Sequence, residues 1–127
     1  MVRNINSFED LEVWKLCRKL KNVVTQLARE LLGDERFRLT DQIIRSARSV
    51  TNNIAEGYGR YHYKENIQFC RQSRGSLYEL IDHLICCFDE GFIDAETLDR
   101  YREECMQCIR MLNGYLRFLN SHKGDIK

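Results

Sequence analysis

Between Leu39 and Arg60, the stretch LTDQIIRSARSVTNNIAEGYGR places the apolar residues Leu39, Ile43, Ala47, Val50 and Ile54 at intervals of 4, 4, 3 and 4. At 100° per residue they fall within roughly 80° of one another, which is the seam of an amphipathic helix. A second line runs beside the seam at intervals of 3, 4, 4 and 3: Gln42, Arg45, Ser49, Asn53 and Glu56. An ordinary solvent face carries mostly Lys and Glu; this line holds short or planar hydrogen-bonding groups. Gly57 and Gly59 are expected to end the helix in the left-handed conformation that Gly adopts cheaply. Such a helix needs an apolar neighbour for one line and a hydrogen-bonding neighbour for the other.

No proline interrupts the 127 residues, and the same periodicity recurs three more times. Ser7 and Asp10 have the spacing of a capping box that starts a first helix. Its stripe is Val13, Leu16, Cys17, Leu20, Val24, Leu27 and Leu31, with Trp14 beside it as a packing residue. Gly33 and Asp34 break this helix, and Asp34 is placed to cap a short turn before the central helix. A third helix starts near His62 to Lys64 and runs through Ile67, Cys70, Arg74, Leu77, Ile81, Leu84 and Phe88, with Leu80 and Ile85 widening the stripe. Gly75 inside it costs about 1 kcal/mol relative to Ala, so close approach of another backbone is expected there. Arg74 on the apolar side predicts a buried or interfacial pair. Gly91 ends this helix and Asp94 caps a fourth, striped by Leu98, Tyr101, Cys105, Cys108, Leu112, Tyr115 and Leu119. Four helices of roughly 18–28 residues on short connections predict an all-α, antiparallel up-down four-helix bundle. One domain spans 1–127, with an ordered core over about 7–120 and a polar tail over 121–127.

Hydrophobic residues at 43% and charged residues at 31% are those of a soluble globular chain. The absence of an apolar run of about 18 residues excludes a membrane span. An N-terminus without a signal-like run points to the cytoplasm. Net charge is only +1, but residues 36–74 hold eight Lys/Arg against three carboxylates, a local +5 on a body of −4. Within it, Arg45, Arg48, Arg60, Lys64 and Arg71 are candidate nucleic-acid contacts. The competing reading pairs these cations with carboxylates on neighbouring helices. The polar line is likewise open to two readings: a buried network fixing helix register or subunit contacts, or the lining of a binding site. Tyr58, Tyr61, His62 and Tyr63 interleave with Arg60 and Lys64. They suit stacking on single-stranded RNA, or packing over the bundle end.

Six cysteines, Cys17, Cys70, Cys86, Cys87, Cys105 and Cys108, include one C-x-x-C, which Cys86 and Cys87 are placed to face. Zinc needs four converging ligands, so buried thiols are expected, with no metal or cofactor. Glu79 and His83 lack the second unit that a di-iron bundle requires. Arg117 and His122 have the R-x4-H spacing of some helical-bundle ribonucleases, without a supporting constellation. No catalytic residue is assigned.

SFEDLEVW (Ser7 to Trp14), ERFRLTDQI (Glu35 to Ile43), NIAEGYGR (Asn53 to Arg60) and GSLYEL (Gly75 to Leu80) resemble, in order and spacing, the 23S rRNA intervening-sequence proteins, also called S23 ribosomal proteins. The resemblance covers about residues 7–119. It implies a bacterial cytosolic protein, a left-handed up-down bundle and a homopentamer, with no enzymatic activity. A distant similarity to the accessory protein of diversity-generating retroelements implies nucleic acid or a reverse transcriptase as partner. The chain departs from the family in having Ile44 before Arg45, where two adjacent arginines are usual, and Ser49-Val50-Thr51 where Ser-Ile-Pro is common. The alternative function is a protein-interaction scaffold for an acidic partner, with no RNA contact.

Overall fold

A computed structural model describes residues 5–31 and 36–125, apart from the side chains of residues 36 and 37. Gly33, Asp34 and the last two residues of the polar tail lie outside the described residues. Four helices carry the chain: α1 (Glu12–Glu30), α2 (Arg36–Tyr58), α3 (Tyr63–Asp89) and α4 (Ala95–Ser121). They pack as a four-helix bundle in ring order, α1 on α2, α2 on α3, α3 on α4 and α4 on α1, with no contact across either diagonal among the described residues. The α2–α3 seam is the most extensive and α1–α4 the least.

The capping box forms, with Ser7 Oγ accepting from the Glu9 N–H and Asp10 Oδ2 accepting from the Ser7 N–H. It opens a short 3₁₀ turn, Phe8–Asp10; extended Leu11 then separates that turn from α1. At the far end of α3 the Phe92 N–H donates to the Cys87 carbonyl at 2.8 Å and the Gly91 N–H to that of Phe88 at 3.0 Å. Gly91 holds φ of +79°, completing a Schellman stop. Asp94 Oδ1 then accepts from the Thr97 N–H at 2.8 Å and caps α4. Hydrogen bonding from the Thr97 side chain, and then from its N–H, holds the Asp94 carboxyl below its ordinary pKa.

All four predicted seams meet in one core. Leu39, Ile43, Ala47, Val50 and Ile54 are buried, as are Leu77, Leu80, Leu84, Leu112 and Leu119. Each fully buried Leu or Ile contributes about 1.5–3 kcal/mol relative to exposure. The α3 stripe slips at its end, where Cys87 is buried and Phe88 is exposed.

Four buried residues, Ser46, Thr51, Asn66 and Ser73, are polar and satisfied across a seam or along their own helix, Thr51 by donating from Oγ1 to the Arg48 carbonyl at 3.3 Å. Ser73 Oγ donates to the Val50 carbonyl at 2.7 Å, tying α3 to α2. Ser46 Oγ back-bonds to its own helix. Asn66, with no exposed surface, donates from Nδ2 to the Tyr115 hydroxyl at 3.2 Å and accepts from the Cys70 thiol. Burial pushes the Tyr115 hydroxyl up to about 12, against the opposing pull of that Asn66 bond. Between pH 10 and 12 the unfolded chain therefore releases this proton while the folded chain keeps it, and stability falls by about 1.4 kcal/mol per pH unit. Tyr115→Phe is expected to cost about 1–2 kcal/mol at pH 7, by leaving the Asn66 amide unpaired. Because the variant lacks the alkaline loss, its gap from the parent narrows from pH 10 upward. Urea unfolding at pH 7 and pH 11 reads this directly; a constant gap would contradict it.

Two glycine expectations are corrected. Gly57 and Gly59 do not take left-handed backbone, since Gly91 is the only described glycine with positive φ. α2 runs through Gly57 to Tyr58 and unwinds at Gly59, whose N–H still reaches the Ala55 carbonyl. Gly57 is buried where α3 crosses: a Cβ there would lie 2.5 Å from Asn66 Oδ1 and 2.8 Å from Phe69 Cβ. The close approach expected at Gly75 occurs instead at Gly57, and a Cβ on Gly75 would meet nothing within 4 Å. Gly75→Ala is therefore expected to stabilise the chain by roughly 0.5–1 kcal/mol, read as a higher urea midpoint. A lower midpoint would reveal another chain packed against that position.

Candidate functional site

α1 and α2 diverge enough to leave an open groove of about 670 Å³ along the outer side of α2. α1 supplies Trp14 and Lys21; α2 supplies Arg45, Arg48 and Asn52, with Ser49, Thr51 and Ala55 completing the lining. No described lining residue is acidic. Trp14, Arg18 and Lys21 stand at i, i+4 and i+7, hence on one side of α1. The tryptophan is fixed from two directions: Phe8 meets it edge-on at 5.1 Å between centroids, and the Arg18 guanidinium lies 5.6 Å over its ring. Arg45 keeps an exposed pair with Asp41 at 3.7 Å, a contact of about 0.3–0.5 kcal/mol that a phosphate can displace. Among the described residues neither Lys21 nor Arg48 forms an ion pair.

The five predicted cations do not converge. Arg45 and Arg48 line this groove, whereas Arg60 lines a different cavity at the bundle end, and Lys64 and Arg71 are exposed on α3 and line neither. Lys21 is the contributor that the basic-segment reading missed, because it lies outside residues 36–74. Its seven-residue spacing from Trp14 was the available signal.

The polar line divides as well. Asn53 Nδ2 donates to Ser49 Oγ at 3.0 Å and to the Ser49 carbonyl at 2.8 Å. Ser49 and Ser76 share a 2.8 Å bond, and Ser76 Oγ donates to the Gln72 carbonyl at 3.1 Å. Each hydroxyl has one proton, so donors run one way, from Asn53 through Ser49 and Ser76 to Gln72, linking α2 to α3. Gln42, Arg45 and Glu56 are exposed, and Glu56 pairs with Arg60 at 3.7 Å. A single buried network of all five is not formed within the chain. The line lies far enough from the seam that its long side chains reach water, while the short ones stay against α3.

Arg74 donates from Nη1 to Asn113 Oδ1 at 2.8 Å, so its expected partner is a neutral amide on α4. The aromatic run after Gly57 splits, with Tyr58 and Tyr63 half-buried and Tyr61 exposed. Tyr58, Gly59, Arg60, Tyr61 and Tyr63 line an open cavity of about 600 Å³ with Tyr115 and Phe118 of α4 and with Ile5 and Leu11. His122 packs 4.5 Å from Phe118 and 5.7 Å from Tyr63, and its Nδ1 lies 2.9 Å from the Phe118 carbonyl. Glu79 and His83 form an exposed pair at 3.2 Å.

All six cysteines are free thiols. The Cys17 thiol lies against Cys108, with Cys105 and Cys70 nearby; its interaction with Cys108 and its burial raise it well above the usual thiol range. Burial also raises Cys105, to about 12, and Cys87, to about 11. Cys86 and Cys87 sit instead among Asp82, Asp89 and Glu90. Among the described residues no group of three or more His, Cys, Asp or Glu side chains is arranged to hold a metal ion. No described helix is long and apolar enough to cross a membrane.

Ring-packed helices with a cationic groove on one outer seam define a four-helix-bundle protein. The chain belongs to the 23S rRNA-intervening sequence protein family, whose model matches residues 9–114. Its fold is similar to a crystal structure of a protein of unknown function from the S23 ribosomal protein family of Bacteroides thetaiotaomicron VPI-5482. The TM-score is 0.76 at 17% identity, over 82% of this chain and 97% of that one. No curated protein matches the sequence significantly.

Proposed function

We propose that this chain is a non-enzymatic, oligomeric bundle protein that binds RNA through the α1–α2 groove. The observation that carries the reading is the groove itself: Lys21, Arg45 and Arg48 around Trp14, with no acidic residue in its described lining. Three cations on adjacent helices suit successive phosphates, and the indole offers a stacking face. Membership of a family described by an rRNA intervening sequence agrees with that ligand class. A left-handed up-down course and a homopentamer, in a bacterial cytoplasm, belong to the same proposal. Five copies would repeat the groove around a ring, so that a subunit of net charge +1 gains affinity by avidity.

Fluorescence anisotropy of a labelled single-stranded RNA, titrated with protein at low salt, tests the reading. Saturable binding at micromolar protein that weakens as salt rises is expected. No binding at low salt would overturn it. Capture of an acidic protein that survives nuclease treatment, with no RNA retained, would favour a protein-interaction scaffold instead.

A further inference from the structure

The cavity at the bundle end has a chemistry distinct from the groove. Five aromatic residues, Tyr58, Tyr61, Tyr63, Tyr115 and Phe118, line it together with one arginine, Arg60. At about 600 Å³ it falls within the range of small-molecule sites. Its rings are held by one another. Phe118 lies nearly parallel to Tyr115, at 10° and 6.4 Å, and Tyr63 meets Phe118 edge-on at 6.3 Å. Tyr115 is further fixed by its bond from fully buried Asn66. The Arg60 guanidinium carbon lies over the Phe69 ring, 4.6 Å from its centroid. That cation–π contact holds the group in place, and its ion pair is an exposed one of 3.7 Å with Glu56.

We propose that this cavity binds a nucleobase together with its 5′-phosphate, the base stacked among the tyrosines and Phe118 and the phosphate on Arg60. The reasoning is complementarity. Aromatic faces accept any planar heterocycle, whereas Arg60, the single cation among the described lining residues, selects an anionic one and can exchange its weak exposed pair with Glu56 for a phosphate. A purely apolar ligand would leave the guanidinium unused, and a simple phosphate would leave the rings unused. The same chemistry is offered by a free nucleotide and by one residue of an RNA strand. The site uses no residue of the α1–α2 groove, so it stands or falls separately from the RNA reading above.

The test is calorimetric titration of the intact protein with adenosine 5′-monophosphate, adenosine and ribose 5-phosphate, and with an adenine hexaribonucleotide. Adenosine 5′-monophosphate is expected to bind at least about tenfold more tightly than either fragment. Tyr61 and Phe118 are 64% and 49% exposed, so Tyr61→Ala and Phe118→Ala leave the core intact. Each should weaken the nucleotide several-fold, and Arg60→Gln should reduce it to the level of adenosine. Lys21→Gln with Arg48→Gln should leave it unchanged. A hexanucleotide that competes and binds more tightly makes the source an RNA strand, and one that binds no better makes it a free nucleotide. Three results overturn the proposal: no heat of binding at about 10 mM nucleotide, ribose 5-phosphate binding as well as the nucleotide, or affinity indifferent to Phe118→Ala and Arg60→Gln.

Discussion

Gly57→Ala is expected to destabilise the bundle by about 2–3 kcal/mol, an overpacking cost at a contact that has no room to relax. The added Cβ would lie 2.8 Å from Phe69 Cβ and 3.2 Å from the Asn66 carbonyl oxygen. Both belong to the α3 scaffold, so neither can rotate aside as the tip of a flexible side chain could. The third neighbour, Asn66 Oδ1 at 2.5 Å, is held by its own hydrogen-bonded position. Relief requires α3 to move away from α2 along the most extensive seam of the fold, which disturbs the Ser73 to Val50 bond as well. A thermal melt followed by circular dichroism should show a midpoint about 10 °C lower. Gly75→Ala in the same experiment should move the opposite way. An unchanged midpoint for Gly57→Ala would mean that α2 and α3 do not approach as described.

The second large effect concerns binding. Lys21→Gln, Arg45→Gln and Arg48→Gln combined should weaken single-stranded RNA by on the order of 100-fold at low salt, since phosphate neutralisation supplies most of such affinity. All three side chains lie on the outer surface of one groove, so stability should change by less than about 0.5 kcal/mol. Lys64→Gln with Arg71→Gln removes two positive charges from α3 without touching the groove, and controls for net charge. If the two variants lose affinity in proportion to charge alone, the site is diffuse and the groove has no special role.

Much of the fold was legible because hydrophobic periodicity reports burial directly. Ile43, Ile54, Leu77, Leu84 and Leu112 each fall on a predicted stripe and each is fully buried. Asp94 and Gly91 were equally readable, since they act through local geometry, whereas the Ser7 box opens a short 3₁₀ turn rather than α1, which starts uncapped after Leu11. What failed needed knowledge of a neighbour. Gly57 and Gly75 look alike in sequence, yet one is crossed by a helix and the other faces open space. Asn66 carries no apolar signal, and its burial depends on Tyr115, 49 residues away. The candidate site was half legible for the same reason. Arg45 and Arg48 were visible as a charge cluster, but Lys21 joins them only through the packing of α1 on α2. Arg60, Lys64 and Arg71 share the charge of the segment without sharing the place.

The salt dependence of RNA affinity tests the central claim most directly. For a single strand, the slope of log affinity against log salt is about −0.7 per phosphate contacted. If Lys21, Arg45 and Arg48 each meet a phosphate, the triple variant should show a slope shallower by about 2 per groove engaged. A triple variant with the parent's slope would place the contacts elsewhere and contradict the account.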